Sequence, residues 1–150
     1  MTIVALDLDR FLPYRLSYTA SLLSDLIAGA YADWFDISIL EWRVLAWVGQ
    51  GKGITQQEIC VRTRMDKVAV SRAAIALSRR GMIQKKPNVS DGRSRLLELT
   101  ADGEHLYRQI APRALELEHR LFARFSADQL AAFTTMLQQI DDEVVRLKSI

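Results

Sequence analysis

The chain has a single cysteine, so no intrachain disulfide can form, and a reducing compartment is the expectation. It has only two histidines, His105 and His119, set near Glu104 and Glu118 without any Cys/His cluster. Surface positions are therefore expected for them, and no metal site. Also missing are a Gly-rich phosphate loop, a nucleophile elbow and a paired-carboxylate constellation, so no catalytic residues, no cofactor and no enzymatic activity are expected. Long apolar runs are absent too: Arg15 and Asp25 interrupt the stretch 11–30, which argues against a membrane span. The first nine residues carry Asp7 and Asp9 but no Lys or Arg, unlike a secretory signal. At 150 residues, 49% hydrophobic and 25% charged, the chain is expected to be a soluble, cytoplasmic, folded domain with its own core.

What is present is a segregation of charge. Between Arg62 and Arg95 lie ten basic residues (Arg62, Arg64, Lys67, Arg72, Arg79, Arg80, Lys85, Lys86, Arg93, Arg95) against two acids, Asp66 and Asp91. The segment thus carries +8 and the remainder −6, hidden within an overall +2. A polyphosphate responds to the local field of a face rather than to net charge, so double-stranded DNA is the first partner to consider.

Helix punctuation is clear. Three capping boxes occur, Ser38-Ile-Leu-Glu41, Thr55-Gln-Gln-Glu58 and Ser126-Ala-Asp-Gln129, with Asp66 and Thr100 as further N-caps. Helices are predicted over 9–33, 38–49, 55–62, 66–80, 101–125 and 126–148. Gly81 provides a helix stop, and Pro87-Asn-Val-Ser-Asp-Gly92 provides turn chemistry between short strands at 82–86 and 93–99. A mainly α protein with one hairpin follows. It has an N-terminal helical region over 1–35, a central helix–helix–hairpin module over 36–100 and a C-terminal helical region over 101–150.

The two helices beginning at Thr55 and Asp66 have the spacing of a helix-turn-helix. In the second, Val70, Ala74 and Leu77 recur on one face and are predicted to be core. The other face presents Lys67, Val68, Ser71, Arg72, Ile75 and Arg79. Arg72 is the expected base-contacting residue, since Arg binds guanine O6 and N7 bidentately in the major groove. Thr55, Gln56 and Gln57 open a helix whose free amides suit a phosphate, while Arg62, Arg64, Lys67 and Arg79 suit the DNA backbone. The hairpin tip bears Arg93, with Asp91 and Arg95 beside it, and a narrow minor groove accepts an inserted Arg. Taken alone, the helical pair fits a basic solvated surface equally well.

Together Glu41-Trp-Arg-Val-Leu45, Ile54-Thr-Gln-Gln-Glu58, Met65-Asp-Lys67, Val70-Ser-Arg72, Leu77 to Gly81, Asp91-Gly-Arg93 and Leu97-Glu-Leu-Thr100 with Gly103 closely resemble the MarR family of winged-helix transcriptional regulators. The likeness covers roughly 36–104. It implies that Asp91 and Arg93 form a minor-groove wing, that Ser71 and Arg72 lie on the recognition helix, and that the terminal helices build a homodimer. The chain departs from the family at Ala69 and Ala76, where many relatives carry polar side chains, which leaves fewer groups for major-groove readout.

The last two predicted helices carry apolar stripes, Leu106, Ile110, Leu117, Leu121 and Phe125, then Leu130, Phe133, Leu137, Ile140, Val144 and Leu147, which a lone small module would not need. Pro112 inside the first is expected to bend it. A C₂ dimer would pair two recognition helices with a near-palindromic operator; an intrachain helical hairpin is the alternative. Family likeness further implies a repressor released by a small aromatic or phenolic carboxylate or its thioester. Arg15, Tyr18 and Trp42 are its expected ligand residues, although the same aromatics would suit a dimer core. Cys60 is expected in the core and not as a redox sensor. A winged-helix module docking an acidic protein, or a constitutive DNA-binding regulator without a ligand, would show the same charge pattern.

Overall fold

A computed structural model describes residues 4–150. In them the order is α1 (Leu12–Phe35), α2 (Ile39–Val48), α3 (Gln56–Thr63), α4 (Lys67–Arg79), β1 (Ile83–Pro87), β2 (Arg95–Leu99), α5 (Ala101–Leu121) and α6 (Ala127–Lys148). This is the expected mainly helical winged helix-turn-helix with one antiparallel hairpin. The chain divides into two compact units at Arg108/Gln109.

All three capping boxes form. Ser38, Thr55 and Ser126 each accept from the N3 amide at 3.1 Å, while Glu41, Glu58 and Gln129 accept from the N-cap amide at 3.4, 3.0 and 2.8 Å. Each box satisfies two backbone donors that the helix cannot, and losing such a cap costs about 1 kcal/mol. Asp66 caps α4 through the Ala69 amide at 2.7 Å. Helix α1 begins three residues later than its sequence suggests, because Pro13 has no N–H and sits without penalty only in a first turn. Helix α5 runs through Pro112 and stops at Leu121, four residues short of the expected end.

In the first unit α4 packs against α2, α3 and β1. Val70, Ala74 and Leu77 are buried, as their spacing predicts; Ala73 joins them, and the four share the core with Val44, Leu45, Ile59, Ile83 and Leu97. Each fully buried Leu or Ile contributes about 1.5–3 kcal/mol. Cys60 is not in that core. Ile59 is the buried residue of α3, and its neighbour, about 100° further round the helix, is only half-buried.

Strands β1 and β2 pair from Ile83↔Leu99 to Pro87↔Arg95. A third partner, unannounced by any local pattern, joins them: Ile54 exchanges backbone hydrogen bonds with Leu97 at 3.3 and 2.8 Å, tying the hairpin to the residue before the α3 cap. Helix α4 ends in a Schellman turn, with Gly81 at φ +73°, its amide on Ser78 O at 3.0 Å and the Met82 amide on Leu77 O at 2.9 Å. The Met82 carbonyl then accepts from the Thr100 amide at 3.1 Å, and the Thr100 hydroxyl both donates to Gly81 O and accepts from the Gly103 amide at 3.0 Å.

Gly103 lies so close to this junction that a Cβ would fall 1.9 Å from the Met82 carbonyl oxygen. Gly103→Ala is expected to destabilise the protein by at least about 2 kcal/mol in urea melts. Gly92→Ala, in open space at the hairpin tip, should stay within about 0.5 kcal/mol.

Candidate nucleic-acid interface

Three elements of the first unit carry the residues expected to meet DNA. Thr55, Gln56 and Gln57 open α3, whose capping box and Ile54 bridge fix its position beside β2. They line one groove with Lys85, Asp91 and Arg95 of the hairpin. The turn between α3 and α4 is short. Thr63 folds back on Ile59 O at 2.6 Å and accepts from the Met65 amide at 3.2 Å, and Arg64 takes a left-handed φ of +60°. That conformation is costly for a residue with a Cβ, and it turns Arg64 outward between the helices.

Along α4, Lys67, Val68 and Arg72 are exposed and Ser71 is half-buried. Val68 and Arg72 line a second groove with Ala69, Ala73 and Ala76, at the start of α2. At the hairpin tip Asp91 does not pair with the Arg93 guanidinium. Its carboxylate accepts from the Arg93 backbone amide at 3.0 Å, and its carbonyl accepts from the Ser94 amide at 3.2 Å. Asn88 reinforces the turn, donating to Ser94 Oγ at 2.8 Å and accepting from the Ser90 amide at 3.1 Å. Asp91 therefore shapes the loop and leaves the Arg93 side chain projecting.

The ten cations separate into two groups. Arg80 donates to Asp36 O at 2.9 Å and approaches Glu41 at 4.0 Å, Lys86 pairs with Glu98 across the hairpin, and Arg62 lies 5.5 Å from the Trp47 ring. Those three serve the fold. Among the described residues no carboxylate pairs with Arg64, Lys67, Arg72, Arg79, Lys85, Arg93 or Arg95, and all seven are exposed. A surface that leaves seven cations without counter-charges attracts a polyanion, with a strength that falls as salt rises.

The expected ligand residues do not converge in one chain. Arg15 sits 5.4 Å over the Tyr18 ring near the start of α1. Trp42 instead stacks on Tyr107 at 5.9 Å and meets Tyr31 edge-on at 5.5 Å. Sixteen residues separate Arg15 from Tyr31 along α1, about 24 Å of helical rise, which no single aryl carboxylate spans. Burial raises the Tyr31 phenol above its ordinary value, and a hydrogen bond from Trp42 offsets part of the shift.

Residues 35–94 match the model of the MarR family. The multiple antibiotic resistance protein MarR of Salmonella typhimurium is 28% identical over 127 residues, which is 84% of this chain and 88% of that protein. A MarR/EmrR family transcriptional regulator from Acinetobacter sp. ADP1 has a TM-score of 0.87 at 25% identity, covering 94% of this chain and 99% of the other. Two more distant structures share the fold. A mutant E. coli MarR complexed with operator DNA has a TM-score of 0.76 at 23% identity, covering 91% of this chain and 99% of its own. CouR from Rhodococcus jostii RHA1, bound to p-coumaroyl-CoA, has 0.81 at 18%, covering 91% and 95%.

Spectrophotometric titration tests the aromatic cluster. Of the four tyrosines, one should ionise later than the rest, and Tyr31→Phe should remove that late step. Since the folded phenol is raised above its unfolded value, its contribution to stability is complete below the unfolded pKa and is lost as pH climbs through the folded one. Tyr31→Phe should accordingly lessen the decline in stability above about pH 10.

Proposed function

We propose that this chain, whose residues 35–94 match the MarR family model, is a MarR-family transcriptional regulator and a homodimeric repressor that grips a near-palindromic operator through α4 and the hairpin. One observation carries the DNA-facing half of that reading: six of the seven unpartnered cations sit on α4 and the hairpin, and the seventh, Arg64, lies in the turn that leads into α4. Two probes suit two grooves. Arg72 meets a guanine edge in the major groove, and Arg93 enters the adjacent minor groove. Thr55, Gln56, Gln57, Arg64, Lys67 and Arg95 hold the sugar–phosphate backbone, Ser71 and Val68 approach the bases, and Asp91 presets the loop. A protein-docking role for the same face would not require probes on separate elements. The MarR structure holding operator DNA supports the reading by fold.

Dimerisation follows from what a single chain leaves uncovered. Helix α6 buries none of its 22 residues, although Phe133, Met136, Ile140, Val144 and Leu147 make it strongly amphipathic. Leu12, Leu22 and Leu26 of α1 are exposed in the same way. Apolar surface on that scale marks an interface. A second copy would supply the cover and set two recognition helices about 34 Å apart. The terminal regions 1–35 and 101–150 are in this reading the dimerisation elements around the DNA-binding region 36–100.

The proposed inducer is a small aromatic carboxylate or its thioester, held by Arg15, Tyr18 and Trp42 across the two chains. The aryl thioester bound to CouR supports that class. A ligand that prefers the DNA-incompetent spacing by a few kcal/mol suffices to empty the operator.

Arg72→Ala and Arg93→Ala should each weaken operator binding at least tenfold with unchanged melting temperature, and wild-type affinity should fall steeply with salt. Arg80→Ala should do the reverse, lowering stability by about 1 kcal/mol while leaving the salt dependence intact. In sedimentation at micromolar concentration the protein should run as a dimer; a monomer there contradicts the assembly. A flat calorimetric response to hydroxybenzoates, hydroxycinnamates and their thioesters would retire the ligand class.

A further inference from the structure

The outward stripe of α4 is not uniformly cationic. With about 100° of rotation per residue, Val68, Arg72, Ile75 and Arg79 form the line directly opposite the buried Val70, Ala73, Ala74 and Leu77. Val68 is 59% exposed and Ile75 46% exposed, so neither serves the core. Neither side chain attracts phosphate, yet each lies one helical turn from Arg72, on either side of it. An aliphatic side chain at the centre of a face that is otherwise charged calls for an apolar partner. On the base edges of the major groove only one such group exists, the C5-methyl of thymine.

Resting on the DNA-binding reading above, we infer that Val68 and Ile75 are specificity-determining residues that read thymine methyls flanking the guanine met by Arg72. Neighbours one turn apart on a helix are about 5–6 Å apart, and base pairs are stacked about 3.4 Å apart. The methyls therefore lie within about two base pairs of that guanine. This apolar readout takes the place of the polar contacts that Ala69 and Ala76 cannot make. The operator is then recognised at these positions by methyl contact and not by hydrogen bonding.

The test starts with a duplex selected from a randomised library by the purified full-length protein. That duplex is resynthesised with deoxyuridine replacing thymidine, one position at a time, which deletes the methyl and keeps the base pairing. The inference expects one or two positions beside a guanine where the replacement weakens wild-type binding by about fourfold. At those positions Val68→Ala or Ile75→Ala should bind both duplexes equally, and both variants should melt like the wild type because the residues are exposed. An enriched duplex whose affinity ignores every replacement, or responds identically in wild type and variants, overturns this inference and leaves DNA binding standing. A library that yields no enriched duplex overturns both.

Discussion

The junction between α4 and β1 fixes everything the proposed function needs. Its peptide groups are held from two directions: the Met82 amide closes the Schellman turn on Leu77, and the Met82 carbonyl receives the Thr100 amide at the start of α5. The Thr100 hydroxyl adds a bond to Gly81 O, and Gly103 lets the helix approach where no Cβ fits. Left-handed Gly81 makes the reversal possible without strain. One small knot of backbone thereby sets the angle between the recognition helix and the hairpin. Probes aimed at two adjacent grooves must keep such an angle, because a misplaced contact of even an ångström loses much of its value.

Much of this architecture was legible in the residues. The capping boxes at Ser38, Thr55 and Ser126, the Asp66 cap and the Gly81 stop all formed as read, because each depends on local geometry that a few neighbouring side chains decide. The α4 core face was legible for the same reason. What escaped was non-local. The Ile54 bridge to Leu97 joins residues more than forty apart, and Arg80 reaches Asp36 across a similar distance, so nothing in either neighbourhood announces the contact. A count of cations could not separate Arg80, Lys86 and Arg62, which serve the fold, from the seven left open. Chain position also hides that Arg15 and Tyr18 lie near the start of the continuous 24-residue α1, whereas Trp42 packs on Tyr31 toward its other end.

The division of labour among the cations has a further consequence. Structural cations must be satisfied, and Arg80 and Lys86 are, by Asp36, Glu41 and Glu98. Cations meant for a polyanion must stay unpaired, which costs self-repulsion among them in the absence of that polyanion. The Asp91 carboxylate resolves a local version of this conflict by binding the Arg93 backbone amide, so that it organises the tip without neutralising its guanidinium. The exposed apolar residues of α1 and α6 show the same logic with the opposite chemistry, surface kept open for a second copy in the proposed assembly.

In the proposed complex α4 and the hairpin tip touch adjacent grooves of one duplex. Affinity cleavage from an iron chelate on Val89→Cys, in a Cys60→Ser background, examines it at the tip, where Val89 is fully open to solvent. Such contact gives strand cuts confined to a minor groove directly flanking the bases whose major-groove edges the protein shields from methylation. Cuts within the shielded segment, or scattered without relation to it, are incompatible with two-groove contact.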